Sequence, residues 1–245
     1  MTKTIFLLNI GDYAPEITRL TYPLIRHYAR RIGAKIQTIK ERKFHDWPLT
    51  YEKLQIHRLA PMLGSDWNLY IDSDTLIHPE CPDFTIYLPK GTISFHSSDI
   101  AHIRFENDEY SLRDGRYIGP GNWFMIASDL CLDLWRPLEG EPDEAVSRIH
   151  PTPEELAHGI TPEHLVDDYA LAKNIARFGL SFKSFLDIYK ECNQSPIQGT
   201  APDGRAGYSK EFLFHVYTAT KEEKIAQITK QIADWKVGHC LERWS

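Results

Sequence analysis

Residues 69–79 read LYIDSDTLIHP and place two carboxylates, Asp72 and Asp74, one residue apart at the end of an apolar run that begins at Trp67. A short continuous apolar run bounded by turn-forming residues predicts a buried strand. Aspartate is a poor strand former, and two like charges this close repel unless something is bound between them.

Working outward, KTIFLLNI (3–10) predicts another buried strand, stopped by Gly11 and Asp12. From Ile17, apolar residues recur at Leu20, Leu24, Ile25, Tyr28, Ala29 and Ile32 with helical spacing, and Gly33 stands at the stop. AKIQTIK (34–40) is a second strand, and TYEKLQIHRLAPML (50–63) a helix with Thr50 as N-cap. The first ninety residues therefore read β-α-β-α-β, a doubly wound, mostly parallel sheet flanked by helices. Ligands of such sheets bind beyond the carboxyl ends of the strands. Asp72 and Asp74 are expected there, with Asn9, Gly11 and Asp12.

Further along, GTISF (91–95) and GNWFMIA (121–127) predict strands, separated by a charged loop at 104–117. A helix is expected over Ser128–Trp135, and residues 139–159 read as polar and irregular. TPEHLVDDYALAKNIARFG (161–179) has Thr161 as N-cap, Pro162 at N1 and Gly179 as stop. Residues 193–209 read as a lid or acceptor loop. EFLFHVY (211–217) predicts a last strand, and TKEEKIAQITKQIADW (220–235) a helix opened by a Thr220–Glu223 capping box. With no repeat and no linker, the expectation is a single domain over 1–245.

Composition narrows the function classes. The 245 residues are 42% hydrophobic and 25% charged, ordinary for a globular chain. A net charge of −6 argues against sequence-independent nucleic-acid binding. No apolar run reaches the roughly 20 residues needed for a membrane span. MTKTIFLLNIGDY lacks a small-residue cleavage site and reads as a core strand, so a cytoplasmic protein is expected. Cys81, Cys131, Cys192 and Cys240 lie too far apart for a zinc site or a disulfide framework and read as reduced core thiols.

Carboxylate oxygens are hard ligands suited to Mg²⁺ or Mn²⁺, which commonly share one or two carboxylates with substrate phosphates. The other reading of Asp72 and Asp74 is a strand-ending turn bonded to local backbone. LYIDSDTLI resembles the Asp-x-Asp motif of GT-A-fold, Asp-x-Asp-containing nucleotide-sugar glycosyltransferases. FLFHVYTATK (212–221) resembles the His-x-x-Gly-x-x-Lys element of several of those families, with Thr218 where glycine is usual and no Pro-Trp after the lysine. Lys221 also falls in the first turn of a helix whose free N–H groups suit phosphate. A core histidine and a solvated lysine are the alternative there.

The resemblance implies a GT-A-like (Rossmann-like) fold with a nucleotide-binding half over 1–90. It assigns 91–245 to an acceptor-binding half and a C-terminal metal and phosphate element. It implies Asp72, Asp74 and His215 as ligands of Mn²⁺ or Mg²⁺, with Ser73 and Lys221 at the donor diphosphate. Asn9, Gly11, Asp12 and Tyr13 of the first strand-to-helix loop would meet base and ribose. Lys53 and Arg58, off the apolar face of their helix, are nucleotide or diphosphate contacts or else a solvated charged face. VDDY (166–169) resembles the acidic motif of inverting enzymes, making Asp168 the general base and Asp167 a substrate contact; a charge partner or cap is the alternative. At about 100° per residue, Asp168 falls at the margin of a stripe made by Leu165, Tyr169, Ala172 and Ala176, whereas Asp167 points away with Asn174. Gly119, Gly121, Asn122 and Trp123 resemble the donor-sugar and acceptor segment, with Trp123 stacking on a sugar.

The resulting expectation is a metal-dependent enzyme that moves a sugar from a nucleoside-diphosphate donor, UDP by family frequency, to a carbohydrate or other hydroxyl acceptor. The His–Lys element resembles retaining families and the VDDY run inverting ones; inversion is the expectation taken. Two alternatives come from other classes. One is a phosphatase of the haloacid dehalogenase type, whose nucleophile motif is also Asp-x-Asp but sits on the first strand. The other is an inactive nucleotide-sugar or carbohydrate-binding domain.

Overall fold

A computed structural model describes residues 1–98, 119–157, 159–191, 212–216 and 220–238. The charged loop at 104–117, the loop at 193–209, Thr218, Cys192 and Cys240 lie outside the described residues. Eight strands are described: β1 (Lys3–Leu8), β2 (Ala34–Ile39), β3 (Trp67–Ile71), β4 (Leu76–Ile77), β5 (Thr92–Ser98), β6 (Gly119–Ser128), β7 (Ser181–Ser184) and β8 (Leu213–Phe214). Six of them form one sheet in the order β2-β1-β3-β6-β5-β7. β1 pairs parallel with β2 and β3, and β5 parallel with β7, while β6 runs against both of its neighbours. The sheet is thus mostly parallel, with one inverted strand at its centre.

Helices cover both faces, which is why β3 is buried at all five positions. The pleat sends Ile5, Leu7, Leu69, Ile71, Phe124 and Ile126 to one face, where they pack on Ile25, Tyr28 and Ile32 of α1 (Pro15–Ile32). Phe6, Tyr70, Met125 and Ala127 face the other way, onto Tyr51, Leu54 and Ile56 and onto Tyr169 and Leu171.

The predicted helix over 50–63 divides into a 3₁₀ segment, Leu49–Gln55, and α2, Ile56–Leu63. The expected helix after β6 is likewise a 3₁₀ segment, Asp129–Trp135, with Ser128 capping it and a break at Cys131. The stretch read as irregular holds two short helices, α3 (Pro142–Ser147) and α4 (Pro153–Ala157). Thr161 and Pro162 open a 3₁₀ turn that continues into α5 (Val166–Phe178), and Gly179 ends it in the left-handed conformation. β7 and α6 (Phe185–Glu191) were not foreseen.

The last predicted strand is only β8, two residues long, and it joins β4 in a separate ribbon instead of entering the sheet. The ribbon holds the chain after Phe214 beside Asp72 and Asp74. α7 (Lys221–Asp234) follows, its capping box made by Thr220 and Glu223 as expected. Ile228 and Ile232 of α7 pack with Ile17 and Leu24 of α1, so the C-terminal helix closes over the start of the first one. Among the described residues, no helix is long and apolar enough to cross a membrane. Cys81 and Cys131 are buried.

Candidate functional site

Asp72 continues the pairing of β3 for one more residue, its N–H donating to the Trp123 carbonyl at 2.8 Å. The chain then turns, with Thr75 N–H bonded to the Asp72 carbonyl at 3.0 Å, and this turn aims both carboxylates outward. Ser73, between them, is occupied structurally. Its hydroxyl donates to the Leu8 carbonyl at 2.7 Å and meets the Tyr22 hydroxyl at 2.9 Å, while its carbonyl accepts from Thr21. The motif is therefore locked to β1 and α1.

His215 reaches the pair from the opposite end of the chain. Its Nε2 lies 3.2 Å from Asp74 Oδ1 and 3.7 Å from Asp72 Oδ2. One donor atom from each of the three residues falls within 4.8 Å of the others. The imidazole stacks flat on the Trp123 indole, centroids 5.4 Å apart and planes 7° from parallel. Trp123 is 3% exposed, so it sits behind His215 and not on the surface a sugar would touch. The expectation of a sugar-stacking tryptophan is corrected on that ground: the indole supports the imidazole.

Two carboxylate oxygens and one imidazole nitrogen fit a hard divalent cation such as Mn²⁺ or Mg²⁺. The concentration of negative charge is already met by a cation from the chain, since Lys224 Nζ lies 2.5 Å from Asp74 Oδ2. Burial alone would raise the Asp74 carboxyl, but His215 and Lys224 outweigh it and hold the group well below the usual carboxylate range. Tyr70, fully buried, donates its hydroxyl to Asp72 Oδ1 at 2.5 Å. Burial and the Asp72 charge keep that phenol well above its ordinary value, so it stays a donor.

These residues open onto a cleft of about 1450 Å³, larger than the 300–1,000 Å³ of a typical small-ligand pocket. Tyr13, Ala14 and Ile17 form one side; Lys53, Tyr70, Asn122 and Asp168 form another; Thr220, which caps α7, and Lys221 and Lys224 within it close a third. Tyr13 is therefore at the cleft, whereas Gly11 and Asp12, exposed and in the left-handed region, and Asn9 are not among its lining residues. Arg58 is exposed and off the cleft, the solvated reading of that side chain, and Lys53 points inward.

The carboxylates of α5 are placed differently from the helical-wheel expectation. Asp168, 6% exposed, lines the cleft. Asp167 does not point away; it is fully buried and pairs with Lys53 Nζ at 2.6 Å, while Asn122 Nδ2 donates to the same oxygen at 2.6 Å. Asn174 is likewise buried and donates to the Leu134 and Arg136 carbonyls. The helix packs on two sides, against the sheet and against residues 129–138, so a single apolar stripe understates its burial. Asp167 meets the cleft only through Lys53 and Asn122, not as a direct substrate contact.

Gly121 is explained by its neighbour. A Cβ there would stand 2.6 Å from the His96 carbonyl oxygen, beside the register shift between Phe95 and His96. Close strand packing, and no approach to a ligand, accounts for this glycine. Gly119 pairs with Ser98 at the start of β6. Lys221 stands at the outer rim of the cleft, bonded to Glu16 at 2.8 Å with both side chains about half exposed. Lys224, which sequence reasoning passed over, is the lysine beside the acidic pair. Its signal was its position four and eight residues before the buried Ile228 and Ile232, on the inner stripe of the helix.

No family model and no curated protein sequence matches the chain. Among solved structures it is similar to a crystal structure described as a glycosyltransferase involved in the glycosylation of the major capsid of PBCV-1. That likeness has a TM-score of 0.51 at 12% identity, over 94% of this chain and 100% of the other. The chain has a glycosyltransferase-like fold.

Proposed function

We propose that the protein is a metal-dependent glycosyltransferase that moves a sugar from a nucleoside-diphosphate donor, with uridine diphosphate as carrier, to a hydroxyl of a carbohydrate acceptor. The observation that carries the reading is the meeting of Asp72, Asp74 and His215, three donor atoms within 4.8 Å, at the floor of a cleft beyond the carboxyl ends of the strands. The glycosyltransferase-like fold supports it.

In this reading Asp72, Asp74 and His215 hold Mn²⁺ or Mg²⁺. The bound cation supplies charge neutralisation for the departing diphosphate, worth several kcal/mol. Tyr70 and Trp123 keep Asp72 and His215 oriented, by hydrogen bond and by stacking. Tyr13 meets the nucleoside from the first strand-to-helix loop. Lys53 and Asn122, fixed by the buried Asp167, present one ammonium and one amide to the donor sugar. Asp168 takes the proton of the acceptor hydroxyl, which gives inversion at the anomeric carbon. The cleft is large enough for donor and acceptor together, so positioning adds to the rate.

The test is release of UDP from a panel of UDP-sugars with MnCl₂, scored alone and with candidate acceptor glycans. Expected are turnover with one donor, abolition by chelator, and loss of at least about 100-fold in Asp72→Asn and Asp74→Asn, the scale for removing a preorganised electrostatic group. Full metal-dependent turnover in either variant refutes the mechanism. Phosphate release from a generic phosphomonoester would revive the phosphatase alternative, and donor binding without any turnover the binding domain.

A further inference from the structure

The ammonium of Lys224 is held by the acidic pair through Asp74 Oδ2, the oxygen beside the one that faces His215. Nζ is 2.5 Å from Asp74 Oδ2, and the side chains are 18% and 8% exposed, so this is a desolvated pair and no loose surface contact. The lysine is delivered by a fixed element. Thr220 and Glu223 bond reciprocally at the start of α7, and Ile228 and Ile232, one and two turns on, pack against α1. Lys221 carries the same charge one turn earlier but is turned out onto Glu16.

We propose that Lys224 is a two-position residue. Without metal it serves as the counter-ion of Asp74, and with metal and donor bound it is handed over to the diphosphate as the principal lysine of that subsite. The inference rests on the proposed metal and nucleotide-sugar reading. Asp74 faces His215 through Oδ1 and Lys224 through Oδ2, so an ion held among Asp72, Asp74 and His215 would stand one carboxylate group away from Nζ, close enough for strong like-charge repulsion in a site this enclosed. The ion therefore loosens the hold of Asp74 on Nζ. The loosened ammonium stays in the cleft, because its stem is anchored in the first turn of α7. The nearest new anion in that space is the diphosphate brought by the donor. Lys221, half exposed and already paired with Glu16, is the weaker candidate.

This gives Lys224 opposite effects on two binding steps, which a purely structural or a purely phosphate-binding lysine would not have. Mn²⁺ binding to the purified protein without nucleotide is measured from the free-Mn²⁺ electron paramagnetic resonance signal. UDP or GDP, whichever the wild type binds, is then titrated calorimetrically at saturating Mn²⁺. Lys224→Gln is expected to bind Mn²⁺ alone roughly tenfold more tightly and the nucleoside diphosphate roughly tenfold more weakly, each the scale of one charge-assisted hydrogen bond. Lys230→Gln, which removes an exposed ion pair with Asp234 further along α7 and away from the cleft lining, should stay within about threefold of wild type in both. Lys224→Arg, which keeps the cation, should follow wild type, and melting without metal checks that each variant is folded.

Unchanged or weaker Mn²⁺ binding in a folded Lys224→Gln variant overturns the counter-ion half. Unchanged diphosphate affinity, or an Arg variant that behaves like the Gln variant, overturns the hand-over. If the wild type binds Mn²⁺ no better than Asp74→Asn, or binds neither nucleotide, the parent reading fails and takes this inference with it. If wild type and Asp74→Asn differ as that reading requires while Lys224→Gln matches wild type, the role of Lys224 alone is refuted.

Discussion

Replacing Lys53 by methionine keeps the length of the stem and removes the ammonium from the most enclosed charge pair among the described residues. Nζ lies 2.6 Å from Asp167 Oδ2, with side chains 2% and 0% exposed, so no water replaces the lost partner. Asp167 retains one donor, Asn122 at 2.6 Å, and its other oxygen has no hydrogen-bond partner. Stripping one member from a buried pair costs about 3–5 kcal/mol. For 245 residues, the usual unfolding entropy of about 2.1 cal/mol/K per residue converts that to a fall in Tm of about 6–10 °C. Lys53→Met should show this drop by calorimetry at pH 7, and Asp167→Asn a comparable one. The double variant should be milder than the sum, with a coupling of about 2 kcal/mol or more. The pH course follows from sign. Burial pushes the Lys53 ammonium down, but Asp167 and Asp72 outweigh it and the group ends above its ordinary value. Its contribution is then complete below about pH 10.4 and lost only as pH rises through the higher folded value. The gap between wild type and Lys53→Met should therefore be flat from about pH 6 to 9. Additive single effects, within about 0.5 kcal/mol, would refute the pairing as the source of the stability.

Two further outcomes check the site from other sides. Gly121→Ala brings a methyl to 2.6 Å from the His96 carbonyl oxygen, which is backbone and must shift; a cost of about 1–3 kcal/mol and faster amide exchange along β5 and β6 are expected, and a melting temperature within about 1 °C of wild type would show that the approach is not tight. Asp74, held below the ordinary carboxylate range mainly against its own burial, stabilises the fold above about pH 4 and loses that contribution as pH falls towards its folded value. The stability gap between wild type and Asp74→Asn in urea melts should shrink as pH falls below about 4; a gap that widens there would refute the pairing of Asp74 with its cationic neighbours.

The strands and their burial were legible because β1 is apolar from Ile5 to Leu8 and β3 everywhere but Asn68, and only a sheet covered on both faces rewards such continuous runs. The direction of β6 was not, since a buried strand reads the same whichever way it runs. The two-residue β4 and β8 carry too little sequence to show a period, yet their pairing is what holds the chain so that His215 meets Asp72 and Asp74. Asp167 and Asp168 show the limit of a helical wheel. It assumes one apolar face, but α5 is enclosed on two sides, so the residue placed away from the buried stripe and read as a substrate contact is the buried anion that fixes Lys53. Lys221 and Lys224 show the converse. A spacing borrowed from resembling sequences selected the first, while the ordinary burial stripe of their helix, Ile228 and Ile232, points the second at the acidic pair. Motif spacing located the floor of the cleft, and amphipathic periodicity, read without regard to motif, was the better guide to which cation reaches it.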